Sequence, residues 1–170
     1  MTVKRHPVFV FLALLFILQV AIACSSPPQT ATPKIRGELW VIFPAEQARE
    51  QGIGEWFVQN GQTAEYWTPS EDDILELENR LSSYLQQTNS DRFDQQKTPI
   101  WERLDEYNRQ YIGIILDGKQ VIYANYFCDS LETDWKDDFV FVLDGGDCFF
   151  QFKYDVDSAE FFDLQVNGVA

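Results

Sequence analysis

Between Phe139 and Tyr154 the chain reads F-V-F-V-L, then Asp144-Gly145-Gly146-Asp147, then C-F-F-Q-F-K-Y. Two β-branched and aromatic runs around a four-residue Asp/Gly cluster predict a β-hairpin with a short loop. Side chains alternate along a strand, so Phe139, Phe141 and Leu143 share one face of the first run. Cys148, Phe150, Phe152 and Tyr154 share one face of the second. A lone hairpin cannot bury such rings; it needs further strands or a helix against it.

The rest of the chain supplies both. Leu39, Val41 and Phe43 alternate with Trp40 and Ile42 in a short strand that Pro44 ends. Ala45 to Gln51 favours a brief helix stopped at Gly52, and Ile53 to Tyr66 is irregular. A long helix follows: Thr68 as its cap, Pro69 in the first helical position and Glu71 closing a capping box. Ile74, Leu77, Leu81, Tyr84 and Leu85 form its apolar stripe, and Glu76 and Arg80 are spaced for an i,i+4 pair. Thr98-Pro99 repeats the start signal, for a shorter helix to about Tyr107 with Trp101 and Leu104 inward. Gln110–Leu116 and Gln120–Cys128 then flank Asp117-Gly118-Lys119, a short hairpin signal. Leu131 to Asp138 is an acidic connection holding Trp135. After the Phe139–Tyr154 stretch, Asp157-Ser158-Ala159 turns into a last strand, 161–167, whose Phe162, Leu164 and Val166 share a face. The expected fold is α+β: an N-terminal strand, one long and one shorter helix, and a mainly antiparallel sheet of about five strands with the helices on one face.

The N-terminus reads as an address. Lys4, Arg5 and His6 precede an almost wholly apolar run, Val8 to Ala23, that ends Ala21-Ile22-Ala23-Cys24. Small residues at that end favour a secretory signal over a membrane span. Residues 24–36, rich in Pro, Ser and Thr, form an extended tether, leaving 37–170 as a single domain. With Cys24, Ser25 and Ser26, the leader resembles that of bacterial lipoproteins. The resemblance implies cleavage before Cys24, lipid on its thiol, and attachment to the outer membrane's periplasmic side in two-membraned cells. Ala21 departs from the Leu favoured there, so ordinary cleavage to a secreted or periplasmic protein stays open. Cys128 and Cys148 then remain as an even pair in an oxidising compartment. A bridge between neighbouring strands is expected, with two buried free thiols as the alternative; no C-x-x-C spacing points to redox work.

Charge and composition exclude much. Acids outnumber bases 27 to 13, and two of those bases lie in the leader, so the chain from Cys24 carries −16. Nucleic acid and anionic lipid surfaces are disfavoured as partners. The only histidine is His6, which leaves the mature chain without Ser-His-Asp or Cys-His nucleophile sites and without histidine-ligated metal. Neither phosphate-cradling glycine motif occurs, and no cofactor is indicated.

The order of strand, long helix and antiparallel meander resembles the cystatin-like or NTF2-like layout. The Gln-x-Val-x-Gly loop of cystatin inhibitors is absent, so protease inhibition does not follow. E-Y-W-T-P-S-E-D-D-I, D-G-G-D-C-F-F and the terminal V-N-G also resemble an uncharacterised family of bacterial (lipo)proteins, which brings no catalytic residues. Three functional readings follow. The first is a binding module for a protein or saccharide, using Trp56, Trp67 and Trp135 in or beside loops. The second is a small enzyme with carboxylates and tyrosines on a cupped sheet. Its pocket groups would be Arg109, Tyr111, Tyr123, Asn125 and Asn167, against outward side chains on a solvated face. The third is calcium held by Asp144 and Asp147, or by Asp155, Asp157 and Glu160. Against calcium, Asp144-Gly145-Gly146-Asp147 is ordinary turn chemistry.

Overall fold

In the computed structural model the described residues are 35–57, 63–88, 99–129 and 133–168. The leader, Cys24, most of the tether, Asn60-Gly61 and Thr98 lie outside them. Among the described residues no helix is long and apolar enough to cross a membrane.

The elements run β1 (Ile35–Arg36), β2 (Trp40–Phe43), α1 (Ala45–Glu50), β3 (Glu65–Trp67), α2 (Glu71–Thr88), β4 (Asn108–Leu116), β5 (Lys119–Phe127), β6 (Phe149–Asp155) and β7 (Glu160–Val166). β1 begins two residues inside the stretch read as tether. The fold is α+β as expected, with a strand first, one main helix and an open, mostly antiparallel sheet. Sheet order is β1-β2-β4-β5-β6-β7, with β3 beside β4. Among the described strands only β2 and β4 run parallel.

The β4–β5 hairpin is its centre. Asp117 (φ 51°) and Gly118 (φ 77°) form a two-residue turn with the backbone twist that matches paired strands. It sets every pairing from Leu116 opposite Lys119 to Asn108 opposite Phe127.

Helix α2 lies on one face. Ile74, Leu77, Leu81 and Leu85 pack there against Tyr111, Ile122, Tyr126, Phe150, Phe152 and Tyr154. Its cap is not Thr68 but Ser70, two residues later. Ser70 Oγ accepts from the Asp73 N–H (3.2 Å) while the Asp73 carboxylate accepts from the Ser70 N–H (2.8 Å), a capping box with aspartate in its third position. Thr68 Oγ1 instead accepts from the first N–H of α1, at Ala45 (2.9 Å). Glu76 and Arg80 do approach, to 3.8 Å. The expected second helix is two 3-10 turns, Ile100–Glu102 and Leu104–Glu106, with Ile100 the fully buried residue and Trp101 and Leu104 half-buried.

Three expectations are corrected. Helices do not cover one face alone: α1, the turn Ile53–Trp56, and residues 133–144 cover the other, over Val41, Phe43, Ile112, Ile114, Val121 and Phe127. The unbroken apolar run Tyr111–Leu116 fits a strand buried on both sides. Second, 139–143 is not a strand of the sheet. Its alternation is present, but Val140 and Val142 pack inward while Phe141 and Leu143 face solvent. Third, Phe162 does not share a face with Leu164 and Val166. A bulge puts Asp163 (φ 52°) and Leu164 opposite Phe152, so the face switches after Phe162.

Leu81→Ala removes a fully buried stripe residue and is expected to cost about 2–5 kcal/mol in urea unfolding. Leu75→Ala, one position off the stripe and exposed, should stay within about 0.5 kcal/mol.

Candidate functional site

The hairpin register brings side chains together two by two. Arg109 faces Tyr126 across the β4–β5 ladder, with Tyr111 two residues along on the same side. That side lies under α2, where Glu78 follows Leu77 on the edge of the apolar stripe. The Tyr111 and Tyr126 hydroxyls both donate to Glu78 Oε1 and lie 3.0 Å from each other. Arg109 Nε is 3.5 Å from the same oxygen. Its Nη2 donates to the Leu104 carbonyl (2.6 Å), and its guanidinium lies 5.5 Å over the Tyr126 ring.

Both tyrosines are pushed well above their ordinary range. Burial is the main cause, and the neighbouring Glu78 charge adds to it, so the phenols remain donors. Glu78 borders a cleft of about 360 Å³ that also has Trp40, Ile74, Leu75, Arg109 and Tyr111 in its walls. Here a carboxylate, an arginine and a tyrosine, Glu78, Arg109 and Tyr111, border a cleft together, with Tyr126 bonded behind them. Arg109 and Tyr111 were among the sequence candidates; Glu78 and Tyr126 were not. The legible signal was the two-residue turn, which makes 109 and 126 opposite, together with an acid at a stripe position of α2.

The other pocket candidates lie elsewhere and hold structure together. Asn125 is neither in a pocket nor on a solvated face. It faces Gln110 across the ladder, on the side away from α2, and is buried. Its Nδ2 donates to Gln110 Oε1 (3.0 Å) and to the Val140 carbonyl (2.8 Å). Gln110 Oε1 accepts from the Val140 N–H (3.0 Å), and its Nε2 donates to the Trp135 and Asp138 carbonyls. Asn167 Nδ2 donates to the carbonyls of Val142 (2.6 Å) and Asp144 (3.0 Å). Gln47 of α1 and Gln51, its C-cap, both donate to the Asp137 carbonyl, and Gln51 accepts from the Phe139 N–H. Residues 133–144 are thus a strap crossing a sheet face. Its backbone groups, lacking a strand partner, are satisfied by side-chain amides. Tyr123 lies beneath it, its ring between Phe57 (4.6 Å) and Phe139 (6.1 Å). The expected bridge between Cys128 and Cys148 is present and closes the loop that contains the strap; such a closure is worth about 3 kcal/mol in the chain-entropy account.

Asp155, Asp157 and Glu160 gather around Lys119 at the β6–β7 turn, apart from any metal-holding arrangement. Asp155 Oδ2 meets Lys119 Nζ at 2.6 Å, and its Oδ1 accepts from the N–H groups of Asp157 and Ser158 in the β6–β7 turn. The bond from Lys119, then those backbone bonds, hold its pKa below the usual carboxylate value. Asp157 and Glu160 belong to that turn and the strand after it. Asp147 is buried, 3.5 Å from Arg103 Nη2, while Asp144 is exposed. Among the described residues no group of three Asp, Glu, Cys or His side chains is placed to hold a metal ion.

Of the three loop tryptophans, two cover the sheet. Trp67 lies in β3, its Nε1 directed at the Ile114 and Val121 carbonyls, and Trp135 packs edge-on against Phe127. Trp56 is different: it is 53% exposed, with its ring 4.7 Å from that of Phe141, itself 58% exposed.

No family model matches the chain, and no curated protein or solved structure is a significant match to it.

Two outcomes are expected of this region. Replacing Gln110 and Asn125 together by Ala should free the strap, read as new proteolytic cleavage within 133–144 while the α2–sheet core stays protected. In an alkaline titration, the Tyr111 and Tyr126 phenols should ionise only together with unfolding. Their raised pKa values stabilise the fold fully below the unfolded value near pH 10, and that contribution is lost as pH climbs above it. Absorbance at 295 nm and far-ultraviolet dichroism should therefore change together, and Tyr126→Phe should move the alkaline midpoint.

Proposed function

We propose that this chain is a lipid-anchored protein of the bacterial cell envelope, tethered through Cys24, that works as a non-catalytic binding module for a protein or saccharide. One observation carries the reading. The amides and acids that would equip a catalytic pocket are engaged in holding the fold, whereas two large rings, Trp56 and Phe141, pack against each other at a tilt in solvent. Exposed rings held in place by their neighbours offer contact area at low entropic cost. Phe139 supports Trp56, edge-on with ring centroids 5.8 Å apart.

A second reading, a histidine-free enzyme working through a carboxylate and tyrosines, is favoured by Glu78 alone. Its side chain is about a quarter exposed at the cleft beside Tyr111. Against it, Oε1 already accepts from two phenols.

The test has two parts. Intact-mass analysis of the membrane-extracted protein should find a mature chain beginning at Cys24 with added acyl mass, absent in Cys24→Ala; an unmodified N-terminus overturns the anchor. In-cell cross-linking should then give adducts that Trp56→Ala/Phe141→Ala abolishes at an unchanged melting midpoint. Adducts unaffected by that variant but lost in Glu78→Gln would move the site to the cleft.

A further inference from the structure

We infer that the partner taken by the Trp56–Phe141 surface is a basic segment of another protein, presenting lysine or arginine next to a large apolar side chain. This rests on the binding-module reading and adds its chemistry. The surface is built by residues 45–56 and by the strap, 133–144. Together these carry seven acids and two bases. Both bases are occupied: Lys136 Nζ donates to the Gly37 carbonyl (2.9 Å) and lies over the Trp135 ring, and Arg49 lies over Tyr66. The rings therefore sit among segments of net negative charge: Glu55 precedes Trp56 and accepts from the Ala64 N–H (3.2 Å), and exposed Asp138 and Asp144 lie three residues to either side of Phe141.

Charge complementarity selects the occupant. An apolar side chain covers the rings while flanking cations meet the acidic rim, and the surrounding negative potential speeds the encounter. A saccharide fits less well, because the amides that would bond its hydroxyls, Gln47, Gln51, Gln110, Asn125 and Asn167, turn inward to the strap. A lipid surface fits less well because inserting the rings would carry the acidic rim into an anionic interface. A second copy would oppose like charge to like charge.

The test uses the full-length protein in non-ionic detergent and a fluorescein-labelled pentapeptide with one tryptophan between two pairs of lysines. The control peptide has glutamate in place of lysine. Fluorescence anisotropy should show saturable binding of the lysine peptide alone, weakened about tenfold or more between 50 and 500 mM salt as screening shortens. Trp56→Ala/Phe141→Ala should lose that binding. Asp138→Asn/Asp144→Asn, which keeps both rings, should bind more weakly and with less salt dependence. Equal binding by the ring variant, or binding of neither peptide, overturns the inference. The same holds if a chitin hexamer or phosphatidylethanolamine vesicles engage the rings and the lysine peptide does not. Where the peptide fails but the ring variant still abolishes the cellular adducts, only the basic-partner chemistry falls; where those adducts also survive, the binding surface falls with it.

Discussion

Two residues, Asp117 and Gly118, hold the arrangement on which the rest depends. Their positive φ values close a turn of minimum length, and a turn of that length leaves one register for the strands it joins. From that register Arg109 meets Tyr126 under α2, and Gln110 meets Asn125 on the opposite side. A slip of one residue would exchange the two sides, placing the amides beneath the helix and the tyrosines beneath the strap. The charged cluster and the strap's anchors are therefore two consequences of one turn.

Burial on both faces follows from the strands themselves. β4 and β5 carry apolar side chains on both sides, and a single amphipathic helix covers only one. α1, its following turn and the strap cover the other. The strap contributes Val140 and Val142 to the core without a strand's hydrogen bonds. Left unpaired, its backbone groups would oppose burial, since each buried unsatisfied donor or acceptor costs roughly 1–3 kcal/mol. Gln110, Asn125, Asn167, Gln47 and Gln51 remove that cost. The disulfide keeps the strap's ends close, and its outward residues then stand free of the core beside Trp56.

The electrostatics divide in the same way. Inside, ionic groups meet partners of opposite sign or hydroxyl donors, as Glu78 does with two tyrosines and Asp147 with Arg103. Nearer the surface of the described residues, Lys119 pairs with Asp155 and the mostly buried Lys153 reaches out to Asp163. The exposed apolar groups Trp56, Phe141 and Leu143 stand among the acids of 45–56 and 133–144.

Much of the fold was legible in order: the α2 stripe, the Asp-Gly hairpin, the β6–β7 turn, the paired cysteines and the α+β class all follow from local patterns. Periodicity reports which residues share a side, because it is a property of the backbone repeat. It does not report which side faces water. Hence Phe141 and Leu143 share a side that faces water, while Phe139, two residues before, packs inward over Tyr123. One bulge at Asp163 was enough to separate Phe162 from Leu164. Tertiary structure alone decided that the most β-prone run crosses a face instead of entering the sheet, because side-chain amides of β4, β5, α1 and the residues just after α1 and β7 took over its backbone bonds. It also decided that Glu78 meets Tyr111 and Tyr126, since helix position and strand register act jointly there and neither is set within one segment.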